Sequence, residues 1–403
     1  MRSPSARVAG ILVALILPAV ACASLDGLAS GGSTDAGIAL PERDAEAEAE
    51  ASADASCTAD LGSDPRNCGA CGHDCLGGAC SAGRCEAVEL ASQPGPIVGG
   101  PIVDSTNVYW VTASDADAGP TTTFALMRHS LASPGAGAEL VGALTGGYTD
   151  SEGLAATSDS ILWMRSATYG SGGTVVTSPG SVFAMPKAGG AARKLVGGDI
   201  YALTPQVHGG HVYWVNNGLT YGPMRCALGG CTTPEILAPN RTAGANGLAV
   251  DATGFYWTES SNAGDGELLS CPLGGDCSFP TRLAGSSSYP AHVSESGGFV
   301  YLTSYGSAVP DSPSANGLVQ RVSKDGATTT TISSTPKSLP QSPKVDGDFV
   351  YWRDSDLGTV LRAPVTGGVT TVLASNQSKA GGLAVDAQAV YWLTSTSVMR
   401  LAK

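Results

Sequence analysis

The chain has 403 residues, of which 54 are glycine and only 14% are charged, and it carries a formal net charge of −13. So much glycine beside so few Glu, Lys and Arg excludes a largely helical protein, because glycine costs about 1 kcal/mol against alanine inside a helix. The acidic balance excludes a nucleic-acid surface, which needs a basic stripe to displace phosphate counterions.

Residues 1–22 begin with Arg2 and Arg7, continue through an apolar run from Val8 to Val20, and end in small residues before Cys22. This is the pattern of an export signal. The run falls short of the ~20 apolar residues of a membrane span, and no later stretch approaches that length. Ala19-Val20-Ala21-Cys22 resembles a bacterial lipobox, a resemblance that implies acylation of Cys22 and a lipid anchor as the only membrane contact. The cysteine count agrees. Eleven is an odd number for an exported chain, and setting Cys22 aside leaves even groups: Cys57, Cys68, Cys71, Cys75, Cys80 and Cys85, then Cys226 with Cys231, then Cys271 with Cys277.

Residues 23–56 are mostly Gly, Ser, Ala, Asp and Glu, with an acidic run from Asp44 to Glu50. Such a segment has too little to bury to offset its ordering entropy, so it reads as an extended tether. Residues 57–85 then hold six cysteines, too short a stretch for an apolar core, and three disulfides would have to hold it. The alternative for Cys68-x2-Cys71-x3-Cys75 is zinc or iron–sulfur, which an exported, oxidised chain disfavours. The run from Asn67 to Cys75, with Gly78-Ala-Cys80 and Gly83-Arg-Cys85, resembles small Cys-rich modules of myxobacterial surface proteins and, more distantly, the stigma-specific type.

From Glu86 onward a repeat takes over. All six tryptophans follow Tyr or Leu: Tyr109-Trp110, Leu162-Trp163, Tyr213-Trp214, Tyr256-Trp257, Tyr351-Trp352 and Tyr391-Trp392. A seventh copy has Leu302 in the tryptophan place, so the intervals are 53, 51, 43, 45, 50 and 40 residues. That period predicts a β-propeller of four-stranded blades over 86–403. Gly-Gly pairs at 189–190, 229–230, 274–275 and 367–368 mark hairpin turns that need positive φ. The last copy lacks a fourth strand, whereas Ala87-Val-Glu-Leu-Ala91 resembles the fourth strand Thr371-Val-Leu-Ala374. The expectation is seven blades, with the N-terminal strand closing the last one and removing two free edges.

The copies resemble YWTD propellers and the wider TolB-like group, Tyr256-Trp-Thr-Glu259 being the nearest match. The resemblance implies a rigid disc that binds something on one face. It departs in blade number, since those families have six blades, and in the scarcity of acidic residues at the motif's fourth place.

Asp104, Asp251, Asp346 and Asp386 stand six residues before the tryptophan of their copy, at the end of the first strand. Their regularity reads as turn capping. His208-Gly-Gly-His211 has metal-like spacing and His292 would be a third imidazole, but the sequence places no partner beside the pair, and zinc needs three protein ligands. No metal or cofactor is expected. Cys226 with Cys231 and Cys271 with Cys277 flank equivalent turns, which predicts hairpin disulfides.

The loops entering the innermost strands vary from copy to copy and supply the ligand-face candidates Tyr148, Glu152, Tyr201, Asn246, Tyr289, His292, Gln341 and Lys379. The resulting reading is a monomeric, lipid-anchored envelope or cell-surface protein that binds a protein or glycan and is not an enzyme. The alternative is a lyase or metal-dependent lactonase acting in the central channel, which would need Glu152, His292 and Lys379 to converge.

Overall fold

The computed structural model describes residues 58–114, 122–133, 135–144, 153–169, 176–260, 265–306, 316–377 and 382–403. Ser56–Lys403 form one compact unit. The unit holds seven four-stranded antiparallel sheets arranged as the blades of a propeller. The innermost strands are Ile97–Val103, Leu154–Ala156, Ala202–His208, Gly244–Val250, Pro290–Ser296, Pro340–Asp346 and Leu383–Val385, in blades 1 to 7. In blades 1 to 6 the strands run outward in chain order. In blade 7 the outermost strand is Val88–Ser92, which pairs with Ser397–Ala402 in the register Val88 to Arg400 and Ser92 to Ser397. The sequence expectation of seven blades and N-terminal closure is met.

The Tyr-Trp dipeptide explains how the blades hold together. Successive residues of a strand point to opposite faces, so within each copy the first aromatic faces one neighbouring blade and the second faces the other. Tyr109 and Trp163 share a buried cluster between blades 1 and 2. The same relation links Tyr213 to Trp257, Tyr301 to Trp352, Tyr351 to Trp392 and, across the closure, Tyr391 to Trp110. Leu162 takes the tyrosine part against Trp214, and Leu302 takes the tryptophan part against Tyr256. All six indole rings are 2% exposed or less. The core is therefore distributed over seven seams, with one dipeptide serving two of them.

A polar repeat overlies the apolar one. The residue after each third strand donates its backbone N–H to the first hairpin turn of its own blade, as in Lys187 to Asp159, Lys324 to Gly298 and Lys403 to Gln388. At those three places the ammonium reaches into the preceding blade. Lys187 pairs with Asp104, Lys324 with Asp251 and also with Glu295 of its own blade, and Lys403 with Asp346 at 2.6 Å. Each ammonium also lies over the tyrosine of that blade, at 5.6 Å from Tyr109, 5.3 Å from Tyr256 and 5.3 Å from Tyr351.

The hairpins carry the expected turn chemistry. Gly189, Gly190, Gly230, Gly274, Gly367 and Gly368 all have φ between 77° and 137°. Beside two of these turns, Cys226 is bonded to Cys231 and Cys271 to Cys277. In the N-terminal module Cys68 is bonded to Cys80 and Cys75 to Cys85. Cys71 is disulfide-bonded too; Cys57, like Cys22, lies outside the described residues. Sulfur atoms of Cys68, Cys75 and Cys85 lie close enough together to resemble a metal cluster, but all three are occupied by these disulfides. The module docks on the ring through Leu76, which packs against the blade 7–blade 1 cluster and whose carbonyl accepts a hydrogen bond from the buried guanidinium of Arg400.

Candidate functional site

The central channel is narrow. Its cavity of about 90 Å³ is lined by residues of all seven blades, among them Pro101, Leu154, Gln206, Leu248, Val293, Pro343 and Leu383, and by one formal charge, Lys344. The innermost strands enter it through bulges. Register slips occur between Leu203 and Gln206, Ala245 and Leu248, Pro290 and Val293, and Gln341 and Lys344. A bulge leaves a residue unpaired and re-aims the side chains beside it. Thr204 (φ 49°) and Ser342 (φ 52°), each followed by proline, hold left-handed backbone at two of these bulges, and Tyr289 (φ 51°) does so just before a third. Non-glycine residues in that region cost about 1–3 kcal/mol each and gather at ligand-binding positions.

On the face where the first strands begin, the channel opens into a pocket of about 390 Å³ lined by Leu203, Thr204, Asn246, Ser260, Tyr289, Pro290, Ala291, His292 and Tyr305. Thr204 and His292 line both cavities. Two glycines set its walls: a Cβ on Gly247 would collide with the Ala291 carbonyl, and one on Gly266 with the Pro290 ring. These contacts bring blade 5 close against blade 4, so Asn246 sits beside the turn carrying Tyr289.

Hydrogen bonds fix the polar groups. The Asn246 amide donates to Ser260 Oγ at 3.0 Å and to the Pro290 carbonyl at 3.2 Å. His292 Nε2 lies 3.2 Å from the Tyr305 hydroxyl, their rings meeting edge to face at 6.4 Å. Gln341 Nε2 donates to the same hydroxyl at 3.5 Å, and Arg353, 5% exposed, donates to Gln341 Oε1 at 3.3 Å. The Tyr305 backbone N–H is held by the Tyr289 carbonyl at 3.1 Å. Among the described residues the lining thus offers two phenol rings, an imidazole, an amide and two hydroxyl side chains, and no carboxylate or ammonium. That set can stack on a ring and exchange neutral hydrogen bonds with hydroxyl or amide groups.

Of the residues nominated from sequence, Asn246, Tyr289 and His292 come together in this pocket and Gln341 joins it through Tyr305. Tyr201 stands apart, 41% exposed, its N–H bonded to Asn216 Oδ1. Tyr148, Glu152 and Lys379 lie outside the described residues. Sequence reasoning missed Tyr305 and Ser260. Both follow the fourth residue of their Tyr-Trp or Tyr-Leu copy, where the second strand returns to the face from which the first strand starts, and that antiparallel return was the available signal.

The histidines do not assemble. His208 and His211 face each other across the first hairpin of blade 3, at the far end of the strand from the pocket, whereas His292 lies near the start of its strand. Three of the four aspartates cap turns: Asp104 Oδ1 accepts the N–H groups of Thr106 and Asn107, Asp251 those of Thr253 and Gly254, and Asp386 those of Gln388 and Ala389, whereas the Asp346 carboxylate accepts from Lys403 Nζ. The motif's fourth place has a packing role that the sequence hid. Glu259, 3% exposed, accepts from Trp257 Nε1 at 2.7 Å and from both Arg241 Nε and Nη2. Asp354, 1% exposed, accepts from Leu357 and Asp356 N–H.

No protein-family model matches the chain, and no curated protein matches it. Solved structures do. A crystal structure of puromycin hydrolase is 14% identical with a TM-score of 0.53, covering 78% of this chain and 53% of its own, so the chain spans about half of that enzyme's length. YCF48 bound to D1 peptide is 12% identical at a TM-score of 0.48, over 79% of this chain and 95% of its own. The nidogen/laminin complex is 14% identical at 0.45, over 58% and 85%. The likeness to puromycin hydrolase is one of fold alone, and the seven closed blades make the chain a β-propeller.

Proposed function

We propose that this protein is an exported, lipid-anchored binding module of the cell envelope whose propeller face holds a neutral glycan. One observation carries the reading: the pocket at the channel mouth has the size of a ligand site and is lined by Tyr289, Tyr305, His292, Asn246 and Ser260, with no carboxylate or ammonium among its described lining residues. Sugar rings offer apolar C–H faces to aromatic side chains and hydroxyls to amides, which matches this set. General acid–base catalysis would call for convergent titratable groups of separated pKa, and the lining supplies only His292 against the tyrosines. The disulfides fit an oxidising compartment, and the lipobox-like residues before Cys22 supply the anchor.

The test is a glycan array probed with the purified mature protein, followed by titration calorimetry on the hits. Tyr289→Ala and Asn246→Ala should each weaken binding about tenfold, a loss of about 1.4 kcal/mol. An array without hits, or hits insensitive to both substitutions, sinks the reading. Mass spectrometry of the mature N-terminus tests the anchor separately, through diacylglycerol on Cys22.

A further inference from the structure

The internal repeat places an arginine on the third strand of blades 1, 3, 5, 6 and 7, and a glutamate faces it in register in two of them, blades 1 and 3. In blades 1 and 3 an arginine on the third strand is paired in register with a glutamate on the outermost strand, and each pair forms a salt bridge at 2.8 Å: Arg128 with Glu139 and Arg225 with Glu235. In blade 6 the same cross-strand place holds Arg362 opposite Thr371. Arg362 has no carboxylate partner among the described residues.

Arg362 also lines a groove of about 370 Å³ between the Cys-rich module and blades 6 and 7, together with Arg84 of the module, Tyr351 and the strand residues Thr371, Val372 and Leu373. Arg84 likewise has no carboxylate partner among the described residues, and no Asp or Glu lines the groove. Two guanidinium groups thus share one recess of a protein whose net charge is −13. Alternate residues of a strand point to opposite faces, so three consecutive residues line one groove only where it runs past the strand's edge. That edge, Thr371–Ala374, pairs with no further strand among the described residues, and Val372 is 55% exposed.

We infer that this groove binds an extended acidic peptide segment of a partner protein, which pairs with Thr371–Ala374 as a fifth strand of blade 6 and places carboxylates on Arg362 and Arg84. Backbone pairing supplies affinity in such strand addition, and side-chain chemistry supplies selection. The guanidinium fork matches a carboxylate in two parallel hydrogen bonds. The ligand completes in trans the Arg–Glu pair that blades 1 and 3 make in cis. The inference is independent of the pocket at the channel mouth.

The experiment titrates the full protein with a short capped peptide alternating valine and glutamate, and with its valine–glutamine counterpart. The glutamate peptide should bind, and the glutamine peptide should bind at least about tenfold more weakly. Arg362→Gln should weaken the glutamate peptide by a similar factor, and Arg321→Gln, at the same repeat place opposite Thr330 in blade 5 but outside the groove, should leave it unchanged. Since Arg362 also stacks on Phe349 at 4.7 Å, a second variant preserves that contact: Thr371→Glu supplies the missing carboxylate in cis and should abolish peptide binding in a folded protein. Equal binding of the two peptides, no binding of either, or undiminished binding to Thr371→Glu overturns the inference. So does competition by inorganic phosphate as effective as the glutamate peptide, which would make the groove an anion site without strand pairing.

Discussion

Lys187 of blade 2 reaches across the seam to Asp104 of blade 1, Nζ to Oδ2 at 2.8 Å, with its side chain 14% exposed against 24% for the aspartate. The same contact recurs from Lys324 to Asp251 and from Lys403 to Asp346. Where the first-strand end carries no aspartate, at Thr157, His208 and Ser296, the equivalent residue of the next blade is Leu228, Leu273 or Val365. Charge meets charge and apolar meets neutral around the ring. Asp386 is the exception: the facing residue is Leu131, and the carboxylate instead accepts the Tyr391 hydroxyl at 2.9 Å.

Acid should weaken the latched seams. Burial raises the carboxyl pKa of Asp104, but hydrogen bonds from Lys187, Thr106 and Asn107 outweigh it and hold the group below the ordinary carboxylate range; Asp251 behaves alike through Lys324, Thr253 and Gly254. A carboxylate whose folded pKa is depressed stabilises the fold above its unfolded value of about 4, and that contribution is lost as pH falls through the folded value. Melting temperature followed from pH 7 downward should therefore drop below about pH 4. The double variant Asp104→Asn/Asp251→Asn should start lower and fall less steeply; parallel curves for the two proteins would contradict this.

The latch should be transferable. Thr157 already caps its turn through Oγ1, as the aspartates do elsewhere, and Leu228 occupies the lysine place opposite. Thr157→Asp with Leu228→Lys should be more stable than the sum of the single changes by about 0.5–1 kcal/mol, read as the coupling term of a double-mutant cycle in urea. A coupling of zero would show that the lysine needs more than its place in the repeat.

Truncating Glu259 leaves the buried indole N–H of Trp257 without its acceptor and the partly exposed guanidinium of Arg241 without its partner. Glu259→Ala should cost about 3–5 kcal/mol in chemical unfolding. Glu259→Gln, which keeps the shape and one acceptor, should cost less. Equal losses would mean that packing alone, and not the charge, holds the place.

Ring closure should be costly to weaken. Leu90 is 4% exposed in the closing strand, whereas Phe279 is 92% exposed. Leu90→Ala should destabilise by about 2–5 kcal/mol and promote association through the edge of Ser397–Ala402; Phe279→Ser should stay within about 0.5 kcal/mol. Light scattering with thermal melts separates the two.

The architecture was legible because one dipeptide reports on two seams at once. Its interval counts the blades, and the fourth-strand pattern at Val88–Ser92 points to the strand that closes the ring. The aspartate turns were legible for the same reason, since the capping bond is local. The lysine partners were not: Lys187 lies 83 residues from Asp104 and Lys324 lies 73 from Asp251, a separation at which no periodic signal joins them until the blades are placed side by side. The pocket was half legible. Asn246, Tyr289 and His292 stand at or just before the bulged starts of innermost strands, where the copies vary, whereas Tyr305 follows a second strand whose end joins the same face only after folding.

The closing strand also imposes an order in time. Ser397 Oγ donates to Glu89 Oε2 at 2.7 Å across 308 residues of sequence, so blade 7 cannot be completed until nearly the whole propeller has been made. Contacts of such separation must bear the entropy of closing a long loop before they yield any stabilisation. Val88–Ser92 is made first and pairs last. Throughout synthesis it is an unpaired strand beside a Cys-rich module whose docking residue, Leu76, also awaits Arg400, and this interval is when the chain is most exposed to aggregation.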